Sequence, residues 1–444
     1  MKATRIQKIV RKLDRHTLEV AKKASKTMVV KMTGMVVGLL ISVFLGRALG
    51  PEGLGVINLA NKLGLLLLVI TMFGFQLVIV KHVSIANSNK NYKEVASKVK
   101  TGLVFNGSLA LIIAIIGTLS LPFILSSPTK NHELYIPLLI AFSMLIPQSI
   151  SRVYAAALNG LGKIWQANLV DKTLSFILVG IGLFTFWVFQ IDFNVVDVLL
   201  LFGVSRVLLV IAVKLLWNNY FKEKVKGTFQ LKPMIKMGLP LLLVSGTSII
   251  ASNADAIMLG ALGTMKDVGL YSVAAILALL TSFFLQVTNT AIAPKMASLY
   301  NNSKLGEMQL MVTRITNSLA IIAFLFIVLF TVGGSWLLSL WGTEFQEAYW
   351  ILIILSAGQV VNIATGCSGM LLVMCGHEKI HGWISLTMLL LNISLNVIMI
   401  INFGAIGAAI ATASTVILDN LAKVFFARKK IGILTLPKIR RYKK

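Results

Sequence analysis

Long apolar stretches, separated by short polar or basic turns, follow one another along almost the whole chain. A helix needs about twenty apolar residues to cross the ~30 Å hydrocarbon core of a bilayer. The pattern therefore predicts an all-α integral membrane protein with twelve transmembrane helices. The predicted spans lie near 28–46, 55–80, 102–125, 135–158, 164–189, 196–217, 237–262, 270–293, 315–340, 348–373, 382–402 and 405–427.

The composition agrees with a membrane protein. Hydrophobic residues make up 57% of the chain and charged residues 13%, and the mean hydropathy is +0.85. A soluble domain could not bury so much apolar surface. The two cysteines, Cys367 and Cys375, lie in one apolar segment, where buried free thiols are expected rather than a disulfide or a metal site.

The distribution of basic residues predicts the orientation of the chain. With both termini in the cytoplasm, almost all lysines and arginines fall in cytoplasmic loops, tails or adjoining helix ends. Arg47, Lys130 and Lys266 fall outside, and Lys62 and Arg206 lie within spans. This bias follows the positive-inside rule. The net charge of +26 therefore indicates topology and attraction to anionic membrane lipid, and no nucleic-acid partner is expected.

The same pattern predicts the domain organisation. Hydrophobic residues recur at steps of three or four among the lysines and arginines of 1–26, which favours a helix on the cytoplasmic membrane surface over a frayed basic tail. We predict a six-helix lobe at 27–217, a cytoplasmic linker at 218–236, a second six-helix lobe at 237–427 and a basic cytoplasmic tail at 428–444.

The two halves of the chain resemble each other. Residues 44–60, FLGRALGPEGLGVINLA, match residues 258–275, MLGALGTMKDVGLYSVAA, and the GLGKI of 160–164 matches the GHEKI of 376–380 at a similar offset. Six helices per half is an even number, so both halves enter the membrane in the same direction. The sequence thus predicts a parallel repeat with a pseudo-two-fold axis along the membrane normal.

One stretch suggests metal chemistry. Residues 376–382 read GHEKIHG, and HExxH on a helix places two histidines to bind zinc with the glutamate as general base. In the first half the corresponding place is a short cytoplasmic turn. A catalytic zinc also needs a third ligand, and the next acidic residue, Asp419, could approach from the last helix, but it is expected to pair with Lys423 one turn on. We favour a turn over an intramembrane zinc protease using His377 and His381, and expect neither a catalytic residue nor a bound metal.

Polar residues inside spans are costly and tend to face a wet cavity. Asn58, Asn61 and Lys62 lie in the second span, and Arg206 lies in the sixth. These four are the candidate substrate-binding residues, and the two cations among them would suit an anionic ligand. Two alternatives stay open: Lys62 could snorkel toward the outer headgroups, and Arg206 could form an ion pair within its lobe.

Asn253 and Asp255 lie in the seventh span and are candidates for gating or ion coupling. The alternative is a structural role for Asp255 within the second lobe. Asp255 and Lys62 are predicted at similar depth, and we expect them to pair in one access state. Asp171 and Lys172, near the inner end of the fifth span, are expected to form a solvated border pair.

Several short motifs resemble those of a known family. Leu45-Gly46, Leu49-Gly50 and Gly53-Leu54-Gly55 resemble the first loop of polysaccharide-export flippases. Gly238-Leu239-Pro240 and the VGLYS of 268–272 resemble their seventh and eighth helices. Together with helix number, loop length and duplication, these motifs make the chain similar to Wzx-type O-antigen or repeat-unit flippases of the multidrug/oligosaccharidyl-lipid/polysaccharide exporter superfamily.

The resemblance implies two six-helix lobes around a V-shaped lumen that opens alternately to either side. It implies transport, not catalysis, of a polyprenyl-pyrophosphate-linked oligosaccharide from the inner to the outer leaflet of the cell inner membrane. Such transport serves O-antigen, lipopolysaccharide or other surface polysaccharide synthesis, with other glycan-assembly membrane proteins as further partners. The competing hypothesis is a cation-coupled multidrug exporter of the same superfamily, which predicts acidic lumen residues in place of Lys62 and Arg206.

The source of energy follows from a missing motif. The chain has no GxxxxGK[ST] sequence, so ATP hydrolysis and a nucleotide cofactor are not expected. Transport would then be driven by H+, Na+ or the membrane potential, or by consumption of the product outside.

Overall fold

The computed structural model describes residues 15–125, 132–223 and 225–437, and this part of the chain contains helices and no strand. The all-α prediction is confirmed. The α-helices are α1 Arg15–Met72, α2 Phe75–Ser88, α3 Tyr92–Leu125, α4 Tyr135–Ser143, α5 Leu145–Gly160, α6 Ile164–Asn168, α7 Leu174–Val188, α8 Val195–Tyr220, α9 Leu231–Leu262, α10 Met265–Leu280, α11 Ser282–Asn301, α12 Leu305–Ser339, α13 Tyr349–Ala364, α14 Ser368–Met374 and α15 Glu378–Ile431. Short 3-10 helices occupy His132–Leu134 and Thr343–Ala348, and a π-helix occupies Leu169–Thr173.

The two longest helices are each broken at a glycine. Gly50 interrupts α1 with a φ of 66°, and Gly404 interrupts α15 with a φ of 55°. Positive φ is easily adopted only by glycine, because it has no Cβ. Both breaks fall between predicted spans, the first between 28–46 and 55–80 and the second between 382–402 and 405–427. A helix of 54 residues is about 80 Å long, so α15 has enough length for two crossings.

The described helices confirm a multi-pass membrane protein. Seven of them are long and apolar enough to cross a bilayer, and up to nine are if each bent pair is one span. One bent pair joins Ile164–Asp171 to Leu174–Val188 at 42°, and the other joins α10 to α11 at 41°. The number of twelve spans stays a prediction.

Contacts divide the chain into two units. The first unit contains the described residues up to Phe44 together with Leu63–Gly246, and the second contains Leu45–Lys62 and the residues from Thr247 onward. These units have different limits from the predicted lobes, which stay a prediction about the repeat. Residues 1–14 of the predicted amphipathic segment and residues 438–444 of the predicted basic tail lie outside the described residues.

In the first unit, the segment predicted as a linker is held against α3. The backbone amide of Thr228 donates to the Ser97 hydroxyl at 2.9 Å, and that of Gln230 donates to the Thr101 hydroxyl at 2.9 Å. The Lys98 ammonium donates to the Gln230 side chain at 2.8 Å. We refer to residues 225–230 as the linker clasp. These contacts explain why the segment after α8 belongs to the first unit.

In the second unit, two glycines permit close helix crossing. A Cβ on Gly55 would overlap the carbonyl oxygen of Met265, and a Cβ on Gly269 would overlap that of Pro51. The contact is reciprocal, as expected around a two-fold axis. Both stretches belong to the matched segments 44–60 and 258–275. The duplication seen in the sequence therefore appears as a symmetric contact, which places Leu45–Lys62 in the second unit.

The two glycine turns correct the register of the second sequence match. Gly162 and Gly376 have φ values of 76° and 80°, and the next residues, Lys163 and His377, each donate their amide to the carbonyl five residues earlier. Both are helix C-terminal turns with glycine in the left-handed position. Gly376 is therefore equivalent to Gly162, and the match of Gly376 to Gly160 is wrong by two residues. The identical residues of GLGKI and GHEKI do not occupy equivalent positions in the two turns.

Candidate functional site: two polar clusters

The first cluster brings together an arginine and an aspartate from α5 and the π-helix. Arg152 Nε lies 3.4 Å from Asp171 Oδ1, and the two side chains are 21% and 14% exposed. Asp171 therefore forms an ion pair with Arg152, whereas the side chain of Lys172, its predicted border partner, lies outside the described residues. Arg152 is close to Asp171 because the helix-end turn at Gly162 reverses the chain and directs the π-helix back along α5.

Arg206 on α8 adds a second cation to this pair. Its charge interacts with both Arg152 and Asp171. Its Nε is buried and has no hydrogen-bond partner in the described part of the chain. We call Arg152, Asp171 and Arg206 the arginine cluster. Two guanidinium groups facing one carboxylate leave a net positive charge, and the planar guanidinium is well suited to bind phosphate oxygens through two hydrogen bonds.

Local packing fixes the irregular backbone that carries Asp171. The hydroxyl of Thr173 donates to the Val30 carbonyl at 2.9 Å, and the hydroxyls of Ser175 and Ser205 are 3.0 Å apart. These bonds tie the C-terminal end of the π-helix and the start of α7 to their neighbours. π-helical turns occur often at functional sites, where they change the direction in which side chains point.

The second cluster surrounds Asp255 on α9. Tyr271 donates its hydroxyl to Asp255 Oδ2 at 2.8 Å, and the Asn396 amide donates to Asp255 Oδ1 at 2.8 Å. The Tyr271 hydroxyl is also 3.3 Å from the Thr412 hydroxyl. We call Asp255, Tyr271, Asn396 and Thr412 the aspartate cluster. Each carboxylate oxygen has a donor, as a buried acid requires.

Further oxygen atoms lie next to this cluster. The side-chain carbonyl oxygens of Asn392 and Asn396 are buried and have no hydrogen-bond partner among the described residues. The Asn392 amide donates to the Thr415 hydroxyl at 3.2 Å. A carboxylate, two amide oxygens and threonine hydroxyls are the oxygen ligands that hard cations prefer.

The other predicted site residues have separate local roles. The Asn61 and Asn253 amides donate to the carbonyls four residues earlier in their own helices, at 3.1 and 2.8 Å. The amide nitrogen of Asn58 is buried and has no partner among the described residues. Lys62 is half-buried and near enough to Asp255 for their charges to interact, while hydrogen bonds to Asp255 come from Tyr271 and Asn396.

The structure therefore brings Lys62 and Asp255 together and places Arg206 in the other unit. Whether Lys62 and Asp255 pair in one access state stays a prediction. Arg206 has charged neighbours inside its own unit, in agreement with the alternative of an internal electrostatic partner.

The sequence interpretation missed Arg152 and the donors to Asp255. The distribution of basic residues counts Arg152 among the arginines at cytoplasmic helix ends, so it gives no reason to expect a site there. A signal for the donors was present: Asn392 and Asn396 lie four residues apart, on one face of an otherwise apolar span.

The HExxH stretch begins a helix next to a charged pair. Asp419 forms the predicted ion pair with Lys423, and both charges act on His381. In the described residues, no group of three metal-binding side chains is found. Asp419, the candidate third ligand, is already in contact with a cation, the Lys423 ammonium. Cys367 and Cys375 are buried free thiols, as predicted.

Comparison with known proteins identifies the family. The model of a family described as polysaccharide biosynthesis protein matches residues 20–300, more than half of the chain. A curated relative, the probable low-salt glycan biosynthesis flippase Agl15 of Haloferax volcanii, is 23% identical over 210 residues. That match covers 46% of this chain and 44% of the relative, so the aligned part is less than half of either protein.

Solved structures share the fold over almost the whole length. An inward-facing multidrug resistance transporter of the MATE family, MOP superfamily, has a TM-score of 0.75 at 14% identity, covering 92% of this chain and 98% of its own. The lipid II flippase MurJ, in an inward closed conformation, has a TM-score of 0.68 at 18% identity, and the match covers 90% of this chain and 87% of MurJ. These relatives are transporters and flippases rather than enzymes, and the resemblance found in the sequence motifs is confirmed. The chain belongs to the polysaccharide biosynthesis protein family.

Proposed function

We propose that the protein is a flippase that moves a polyprenyl-pyrophosphate-linked oligosaccharide from the inner to the outer leaflet by alternating access. Membership of the polysaccharide biosynthesis family and the similarity to flippases support a lipid-linked glycan as cargo. The product would feed surface polysaccharide synthesis, including O-antigen or lipopolysaccharide where the cell makes them.

The observation that carries the proposal is the unbalanced charge of the arginine cluster. In the described part of the chain, Arg206 has a buried Nε without a partner, and Asp171, the carboxylate whose charge acts on it, is already in contact with Arg152. Placing a cation inside the membrane costs free energy, so a membrane-embedded arginine of this kind indicates a functional site. A pyrophosphate group would supply oxygen acceptors to both guanidinium groups and complete their hydrogen bonding.

We also propose that the aspartate cluster couples transport to an ion. Its oxygen atoms, including the two unpartnered amide oxygens of Asn392 and Asn396, suit Na+, and a proton on Asp255 is the alternative. The charge of Lys62 interacts with Asp255, so occupation of the cluster would change the environment of Lys62. Binding of the ion would thereby weaken the electrostatic attraction between Lys62 and Asp255.

The proposed topology places both termini in the cytoplasm and the protein in the cell inner membrane. If its charge crossed unneutralised, a pyrophosphate leaving the negative interior of the cell would lower its electrical free energy by about 2.3 kcal/mol per charge per 100 mV. The membrane potential is therefore a second source of driving force, and anionic lipid and other glycan-assembly proteins are the proposed partners in the membrane.

Leaflet-resolved transport tests the proposal. The full chain is reconstituted in liposomes with fluorescently labelled lipid-linked oligosaccharides extracted from the cells in which it is native. An impermeant quencher then reports the fraction in each leaflet. We expect exchange between leaflets to require the protein and to fall in Arg206→Gln. The matched control is Arg314→Gln, which removes an exposed arginine elsewhere.

The same liposomes test the multidrug alternative, which a buried acid such as Asp255 favours. Ethidium uptake against an imposed Na+ or H+ gradient, without movement of the lipid-linked glycan, would establish a multidrug exporter and overturn the flippase. Movement of the glycan without ethidium uptake supports the proposal.

A further inference from the structure

A cleft of about 660 Å³ in the first unit lies where α3 and α8 meet the segment that follows α8. Its floor is aromatic: Trp217 and Phe221 are stacked with ring centroids 4.8 Å apart, and Tyr154 lies 6.2 Å from Trp217. Its rim carries Lys100 and Lys222. Neither the arginine cluster nor the aspartate cluster contributes a residue to this cleft.

Two exposed apolar stripes lead into the cleft. One runs along α3 and the other along α8, and at the predicted depth both face the acyl chains of the bilayer. The α3 stripe contains Val104, Leu111, Ile112, Ile115, Ile116, Leu119 and Phe123, and the α8 stripe contains Leu200, Val204, Val207, Leu208, Ile211 and Leu215. Val104 belongs to both the α3 stripe and the cleft wall, so the apolar surface is continuous with the cleft.

The charges at the rim favour an anion. Lys100 donates one hydrogen bond to the Gly227 carbonyl at 3.2 Å, and an ammonium group has two further donors. Lys222 is exposed, and Glu223 is the one acid among the described residues of the lining. The nearby Lys98 is buried and paired with Glu94 at 2.9 Å, so it does not compete for a ligand. Two lysines against one glutamate leave the rim positive.

We propose that this cleft binds one anionic phospholipid of the inner leaflet. The phosphate lies between Lys100 and Lys222, the ester region packs on Trp217 and Tyr154, and an acyl chain follows the α3 stripe past Val104. Tryptophan and tyrosine prefer this depth, at the boundary between headgroups and hydrocarbon. Anionic lipid attracts lysines at the cytoplasmic surface. The proposal rests on the cytoplasmic orientation of the cleft and goes beyond the flippase assignment.

The bound lipid would also stabilise the linker clasp. Lys100 contacts both the proposed phosphate and the carbonyl of Gly227, and a Cβ on Gly227 would clash with the backbone of Ala96. The clasp therefore packs closely on α3 beside the cleft. A lipid that holds Lys100 in place would hold the clasp as well.

Trp217 provides a reporter inside the cleft. The full chain is placed in bilayers of phosphatidylcholine containing either brominated phosphatidylglycerol or brominated phosphatidylcholine, because bromine quenches nearby tryptophan. The part of the quenching that is lost in Trp217→Phe belongs to Trp217, one of seven tryptophans. We expect this part to be half-saturated at a much lower fraction of the anionic lipid. Each of Lys100→Gln and Lys222→Gln should raise that fraction about fivefold.

Lys232→Gln together with Lys236→Gln is the matched control, since it removes two exposed lysines of the same unit outside the cleft. Equal quenching by the two brominated lipids, or an equal effect of the control pair, would overturn the proposal. A second measurement covers the case in which Trp217→Phe does not fold. Native mass spectrometry should show one retained phosphatidylglycerol on the wild-type chain and loss of it in Lys100→Gln/Lys222→Gln. Retention of that lipid by the double variant would also contradict the proposal.

Discussion

The arginine cluster and the aspartate cluster are both charged groups inside predicted spans, but they differ in the kind of atom that each leaves without a partner among the described residues. Both carboxylate oxygens of Asp255 accept hydrogen bonds from side chains on other helices. The arginine cluster has two cations, one carboxylate and a buried guanidinium nitrogen without a partner among the described residues. The aspartate cluster also leaves a buried acceptor, the amide oxygen of Asn396, which suits a small cation, whereas the arginine cluster leaves a buried donor, which suits an anion.

This difference separates two tasks. A cluster of small oxygen groups can exchange a proton or a small cation with little rearrangement. A cluster with an excess of guanidinium donors can bind a larger anion and release it when Asp171 takes its place. We therefore assign cargo recognition to the first unit and ion coupling to the second.

The largest expected effect comes from inverting the charge of Arg206. Arg206→Glu replaces a cation of the cluster by a second carboxylate. Transport of the lipid-linked oligosaccharide should fall at least about 100-fold, because a charged contact with the pyrophosphate is lost and repulsion is added. Size-exclusion chromatography and membrane insertion should be unchanged. Arg314→Glu is the control, and wild-type transport in Arg206→Glu would remove this residue from the site.

The second prediction separates coupling from recognition. Asp255→Asn keeps the size of the side chain and removes its charge, so the response of transport to an imposed Na+ or H+ gradient should disappear. The rate under a gradient should fall about tenfold, whereas binding of the lipid-linked oligosaccharide should change less than about twofold. Asp419→Asn, which removes the partner of Lys423, is the matched control. A full gradient response in Asp255→Asn would refute the assignment.

A third change tests whether Asp171 competes with the cargo. Asp171→Asn removes the carboxylate that contacts Arg152, which should strengthen binding of the pyrophosphate lipid about fivefold, since about 1 kcal/mol of competing attraction is removed. Binding is measured by fluorescence titration in nanodiscs. Asp192→Asn removes an exposed carboxylate of the same unit and should have no effect. Weaker binding in Asp171→Asn would show that Asp171 positions the arginines rather than competing for them.

The smallest expected effect belongs to the HExxH stretch. His377→Ala combined with His381→Ala should leave transport within about twofold, because the turn is set by the left-handed Gly376 rather than by the imidazoles. Metal content measured by mass spectrometry should be the same in both proteins. Zinc present in the wild type and lost in the variant would instead establish a metal site.

Much of the fold could be predicted from local signals. Apolar length predicted an all-α membrane protein, and the breaks in α1 and α15 occur at glycines between predicted spans because only glycine adopts their φ values at low cost. The duplication predicted a pseudo-two-fold repeat, and the reciprocal close approach at Gly55 and Gly269 agrees with such an axis. The register of the GHEKI turn was wrong because letter identity carries no information about hydrogen bonding.

The polar partners could not be predicted because they depend on tertiary contacts. Asp171 pairs with Arg152 because the π-helix that carries Asp171 packs against α5, and this tertiary contact leaves no pattern in the sequence. Asp255 meets Asn396 through contact between helices far apart in the chain. The amide spacing of Asn392 and Asn396 showed a polar face but not what it faces.

The most direct test of the central claim is the selectivity of transport for the pyrophosphate group. Initial leaflet-exchange rates are measured for three lipids that share one polyprenyl chain and one sugar, joined by a pyrophosphate, a monophosphate or a neutral ether. The account predicts that the wild-type protein prefers the pyrophosphate lipid by about tenfold or more, and that Arg206→Gln loses this preference while Arg206→Lys keeps part of it. The same preference in Arg206→Gln as in the wild type would contradict it.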